Sequence, residues 1–125
     1  MKVVIDSSVW LEYLTHGQRL KKIEQFFKPP NKIIIPVIVI YEIYKKIKSE
    51  RGESEAVFVI AQMERLAVKI FEIDQPTAIK AADISVHYKI PMADSLIYTS
   101  ALLEDAVVVT TDMHFNELPS ARCIV

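Results

Sequence analysis

A chain of 125 residues that is 51% hydrophobic can bury one substantial core, which excludes a disordered segment and leaves room for a single domain, residues 1–125. With 15 Lys plus Arg against 16 Asp plus Glu the net charge is −1, which excludes holding nucleic acid by bulk positive charge alone. One cysteine, Cys123, excludes an intramolecular disulfide scaffold and fits a cytoplasmic protein, and the longest apolar run, residues 33–41, is far short of the roughly 20 residues of a membrane span.

The predicted elements alternate. Short β-branched strands are expected at residues 3–5, 32–35, 68–73, 107–110 and 122–125. Between them, amphipathic stretches predict helices over 8–14, 18–27, 37–49, 54–66, 76–88 and 94–103. Nearly all-apolar strands separated by helices indicate an α/β fold: a doubly wound parallel sheet with helices on both faces. Two glycines, Gly17 and Gly52, and no low-complexity tract leave no domain boundary.

In such a sheet, ligands bind just beyond the carboxyl ends of the strands. Asp6 follows the first strand, and Asp112 follows residues 107–111. Each taken alone also fits a helix cap. Glu42 stands in the most apolar part of the chain, Ile38-Val39-Ile40-Tyr41-Glu42-Ile43-Tyr44. Buried there it would need a cation; on an exposed helix edge it would align with Lys45, Lys46 and Ser49. Asp94, after Ile90-Pro91-Met92-Ala93, opens a helix and suits its dipole. Brought to one rim, four carboxylates would repel unless cations lay between them. Oxygen ligands of this kind suit Mg²⁺ or Mn²⁺ with a substrate phosphate completing the shell. His16, His87, His114 and Cys123 show no zinc-ligand spacing, and the histidines read as surface or structural groups. There is no phosphate-binding glycine loop and no serine-nucleophile motif.

The order of these residues resembles the PIN domain in its compact VapC-like toxin form. The resemblance runs through Val3-Val4-Ile5-Asp6-Ser7-Ser8-Val9-Trp10, the Tyr41-Glu42 helix after Ile35-Pro36, Ile90-Pro91-Met92-Ala93-Asp94-Ser95-Leu96-Ile97 and Val108-Val109-Thr110-Thr111-Asp112-Met113-His114-Phe115. Asp6, Glu42, Asp94 and Asp112 match the family's acidic quartet. The resemblance implies a Mg²⁺- or Mn²⁺-dependent endoribonuclease that leaves a 5′-phosphate, with the quartet holding the metal. Thr110 matches the small hydroxyl residue that steadies such a site, and Ser7 assists. It also implies a homodimer, an RNA substrate and a VapB-like antitoxin partner. Where the family carries glycines, this chain has Tyr88-Lys89 and Glu104-Asp105. Two bound divalent cations would take the net charge from −1 to roughly +3, letting Lys45, Lys46, Lys48, Arg51, Lys21, Lys22, Lys28 and Lys32 meet an RNA backbone. Trp10, Tyr13, Leu14, Phe26 and Phe27 read either as a partner groove or as core. The alternatives are a non-catalytic scaffold that binds without cutting and an RNA-processing nuclease outside a toxin–antitoxin pair.

Overall fold

A computed structural model describes residues 1–123. The chain runs β1 (Lys2–Ile5), α1 (Ser7–Leu14), α2 (Leu20–Ile23), a 3₁₀ turn (Glu24–Phe27), β2 (Lys32–Pro36), α3 (Val37–Arg51) and α4 (Glu53–Leu66). It continues through β3 (Ala67–Phe71), α5 (Gln75–Tyr88), α6 (Met92–Leu103), β4 (Val107–Thr110), a second 3₁₀ turn (Met113–Phe115) and β5 (Ala121–Cys123). All five strands pair in parallel in the order β3-β2-β1-β4-β5.

The chain winds outward from β1 to β3, then returns to the other side of β1 for β4 and β5. Crossovers between parallel strands are right-handed as a rule, and with this strand order that puts the helices of the two halves on opposite faces, so the fold is the expected doubly wound α/β sheet. Its direction reverses between β1 and β4, and that is where sheets of this kind bind ligand. There Ile5 pairs with Val109, and the Asp6 amide donates to the Val109 carbonyl at 2.9 Å, which sets Asp6 beside Thr110. The central strands have no polar side chain at their middle positions because both faces are covered. Val3, Val4, Ile5, Ile35, Val108 and Val109 are fully buried. Edge strand β3 is different, with Val68 63% exposed.

Local chemistry sets the helix ends. Pro36 and Pro91 stand as N-caps of α3 and α6. Asp74 caps α5, accepting from the Thr77 amide (3.0 Å) and hydroxyl (2.6 Å). Gly52 ends α3 at φ 92°, a conformation that side chains with a Cβ resist, and α4 packs back against α3 from there. In α6 the buried hydroxyls of Ser95 and Ser100 are satisfied within the helix, donating to its own carbonyls at 2.7 Å. Among the described residues no helix is long and apolar enough to cross a membrane.

Two expectations need correction. The helix expected over 18–27 is α2 followed by a 3₁₀ turn, in which three residues per turn stack Phe26 over Ile23 on the core side. The strand expected to reach Ile73 ends at Phe71, since its partner β2 ends opposite it at Pro36 and α3 begins. Of the two readings of the aromatic set, core holds for most of it: Trp10, Phe26 and Phe27 are buried, while Tyr13 and Leu14 are partly buried at its edge. Of the strand expected over 122–125, Ile124 and Val125 lie outside the described residues.

Lys89 (φ 58°) and Asp105 (φ 53°) adopt left-handed backbone at the two turns where a glycine was expected and is missing. Both side chains are exposed, so nothing packs in return. Lys89→Gly is expected to raise stability by about 1 kcal/mol and Asp105→Gly by somewhat less, because Asp tolerates this region better than Lys. Urea denaturation of each variant checks this; a loss of stability would contradict it.

Candidate active site

The carboxyl ends of β1 and β4, the second turn of α3 and the first turn of α6 meet at the reversal point. Asp6 caps α1, accepting from the Ser7 amide at 2.8 Å, and its other oxygen accepts from the hydroxyls of Thr110 (2.7 Å) and Ser8 (3.2 Å). Thr110 is fully buried, and its hydroxyl oxygen accepts from the Asp112 amide at 2.9 Å. Asp112 in turn caps the second 3₁₀ turn, accepting from the His114 amide at 2.9 Å. The cap readings of Asp6 and Asp112 therefore hold together with the cluster reading: one oxygen caps while the carboxylate stays at the rim.

Glu42, in the second turn of α3, is half-buried, and its Oε1 is enclosed without a hydrogen-bond partner. Among the described residues it pairs with neither lysine one turn on: Lys46 pairs with Glu50 at 2.7 Å, and Lys45 lies 5.7 Å over the exposed Tyr41 ring. Asp94 sits in the first turn of α6, only 9% exposed.

Electrostatics tie the four acids into one group. Burial pushes the Asp6 carboxyl above its ordinary value and the Asp112 charge adds to this, while hydrogen bonds from Thr110, Ser7 and Ser8 oppose it. Burial likewise raises Glu42, with Asp6 and Asp94 contributing, against a hydrogen bond from the Ser7 hydroxyl. Asp94 is pushed up to about 6, first by burial and then by the charges of Asp112 and Asp6, and His114 offsets part of this.

His114 lies at the surface, as expected of the histidines, yet it also joins the acids. Its Nδ1 lies 3.0 Å from Asp94 Oδ2 and 3.0 Å from Asp112 Oδ1. The Asp112 charge, foremost, and its hydrogen bond hold the imidazole proton more tightly than usual. The spacing to Asp112 matches no familiar ligand motif, and only the tight turn after the capping acid folds the ring back. An Asp capping a turn with His two residues on is the signal that could have found it.

A divalent cation fits these residues. Carboxylates that face one another resist ionisation, and the Glu42 Oε1 atom is enclosed with nothing to bond. Asp94, Asp112 and His114 alone offer three ligand atoms within 4.8 Å of one another. Away from this rim, a groove of about 480 Å³ opens between α1, α2 and α4, bordered by Tyr13, Leu14, Leu20 and Leu66 with Lys28 and Arg65.

The profile of the PIN domain matches residues 3–120. The chain belongs to the PIN-domain family. Among solved structures, this PIN domain resembles VapBC2 from Rickettsia felis, which is bound to a DNA fragment from its promoter (TM-score 0.79, 16% identity, 100% of both chains). It also resembles a toxin–antitoxin complex from Klebsiella pneumoniae (TM-score 0.77, 18% identity, 96% of this chain and 95% of that one). A third is VapC20 from Mycobacterium tuberculosis, a toxin that cleaves the sarcin-ricin loop (TM-score 0.77, 14% identity, 94% and 95%). At these identities the likeness establishes a shared fold. Among curated protein sequences none matches the PIN domain described here.

Thr110 joins Asp6 to Asp112, so Thr110→Val strands the Asp112 amide and leaves one Asp6 oxygen with only the longer bond from Ser8. The expected cost is about 1–3 kcal/mol in chemical denaturation, whereas Thr110→Ser, which keeps the hydroxyl, loses about 1 kcal/mol or less. Equal losses in the two variants would show that the methyl group, not the hydroxyl, matters.

Proposed function

We propose that this chain is a Mg²⁺- or Mn²⁺-dependent endoribonuclease, the toxin of a VapBC-type pair held inactive by a VapB-like antitoxin. What carries the reading is the convergence of Asp6, Glu42, Asp94 and Asp112 at the sheet's reversal point, with Glu42 Oε1 unpartnered and Asp94 resisting ionisation. Those four would hold the metal. When bound, such a cation activates a water and stabilises the leaving oxygen of a phosphodiester, here the 3′ oxygen, leaving a 5′-phosphate on the other fragment.

The rest of the chemistry is positioning. Thr110 and Ser8 fix one Asp6 oxygen, and the Ser7 amide fixes the other. The Asp112 backbone is tied to Thr110, so the acids past β1 and β4 keep one spacing while substrate enters. On α3, the exposed Tyr41 and the Lys45 above it lie beside Glu42, a combination suited to a base and a phosphate of RNA.

Structural neighbours that are toxin–antitoxin complexes support the antitoxin partner. The groove bordered by Tyr13, Leu14, Leu20 and Leu66 offers apolar surface for it. Exposed Ile79, Val86 and Met92 on α5 and α6 suit the expected homodimer, acting in the cytoplasm.

The test is incubation of the purified protein, freed of copurifying partner, with a mixed RNA pool and with DNA of the same sequences. Mn²⁺, Mg²⁺ and EDTA are compared, and the product ends are sequenced. Metal-dependent cuts in RNA bearing 5′-phosphates are expected. Intact RNA under both metals would favour a scaffold that binds without cutting.

A further inference from the structure

The geometry points to His114 as a nitrogen ligand of the cation held by Asp94 and Asp112, giving this site a preference for Mn²⁺ over Mg²⁺. The inference rests on the metal-site reading above and adds to it a ligand of a different chemical kind. Nδ1 is equidistant, at 3.0 Å, from one oxygen of Asp94 and one of Asp112, so it points into the space that those two carboxylates share. The ring is held there from both sides. Its own amide donates to Asp112 Oδ1 at 2.9 Å, and the next residue, Phe115, is fully buried and anchors the turn in the core. The imidazole side chain is 56% exposed overall, so its far edge meets solvent while Nδ1 faces the acids.

An imidazole nitrogen suits first-row transition ions, whereas Mg²⁺ prefers oxygen and keeps its waters. Binding through Nδ1 releases the proton on that atom to solvent and leaves the proton on Nε2 in place. Four carboxylates alone would favour no transition ion so clearly. The histidine turns an oxygen site into a mixed one.

The experiment combines calorimetric titration of Mn²⁺ and of Mg²⁺ into the wild type and His114→Ala with pulsed electron paramagnetic resonance of the Mn²⁺-loaded proteins. Expected are a ¹⁴N coupling from a directly bound imidazole in the wild type, its loss in the variant, and Mn²⁺ affinity weakened about tenfold with Mg²⁺ affinity nearly unchanged. Mn²⁺ binding with no nitrogen coupling, and with the same affinity in both proteins, would overturn the inference while leaving the acidic site intact. Tighter binding of both metals by the variant would also overturn it, showing that His114 is a counter-ion that metal must displace. Failure of the wild type to bind either metal would overturn the metal-site reading itself.

Discussion

Asp94→Asn is expected to lower metal-dependent RNA cleavage roughly a hundred- to a thousand-fold while leaving the metal-free protein folded and, above about pH 6, more stable than the wild type. The two effects share one cause. Asp94 is almost enclosed and faces the charges of Asp112 and Asp6, so it holds its proton to about pH 6 instead of the ordinary 3.8. The native state therefore binds more protons than the unfolded chain between those values. Its stability from this group is complete below about pH 4 and is lost as pH rises through about 6. Because the carboxyl keeps some contact with water, the loss is on the order of 1–2 kcal/mol, less than the bare difference in proton affinity would give.

An amide at position 94 has no charge to lose, so the variant's stability should fall less than the wild type's across that window, the remaining fall coming from Asp6 and Glu42. Urea unfolding in EDTA at about pH 4.5 and about pH 7.5 measures both slopes. Adding Mn²⁺ should restore the wild type at the higher pH and do little for the variant, since a cation that binds only the native state stabilises it by mass action. A variant with wild-type pH dependence would mean that another group sets the slope.

The second large effect is on the core. Trp10→Ala should cost about 3–5 kcal/mol, a large share of what a domain of this size has to lose. Trp10 is fully buried, its ring edge-on to Phe27 at 4.9 Å, and Phe27 is stacked on Tyr13 at 3.8 Å. Removing the indole therefore loosens the seat of α1 against the 3₁₀ turn, and with it the Asp6 cap at the start of α1. The indole N–H has no partner among the described residues, so Trp10→Phe removes an unmet donor together with part of the ring and should cost clearly less. Trp10 is the chain's one tryptophan, so unfolding is followed by circular dichroism. A Trp10→Ala protein of wild-type stability would contradict the core assignment.

What the sequence disclosed follows from which residues act locally. Asp6 and Asp112 were legible because a polar residue after an all-apolar strand marks the strand's end, and the parallel pairing of β1 with β4 then makes the two acids neighbours. Glu42 was legible because a carboxylate amid Ile, Val and Tyr has few cheap places to go, and its enclosed oxygen agrees. His114 was not legible, since its contact with Asp94 spans 20 residues and depends on a turn of Met113–Phe115 that periodicity does not reveal. Nor could the pattern of Ile23, Phe26 and Phe27 tell an α-helix from a tighter 3₁₀ turn, since both put residues three apart on one side. The end of β3 was set by its neighbour's length, a fact outside its own residues.

The central claim is that Asp6, Glu42, Asp94 and Asp112 work as one cation-holding group that cuts RNA. Its most direct measurement is the initial rate of Mn²⁺-activated cleavage of one labelled RNA by the wild type, by Asp6→Asn, Glu42→Gln, Asp94→Asn and Asp112→Asn singly, and by all four changes together. Residues that act as a unit are strongly non-additive, so each single change is expected to cost nearly as much as the quadruple one, with EDTA reducing the wild type to the same level. Cleavage that persists in EDTA, or single variants that keep near wild-type rates, would contradict the account.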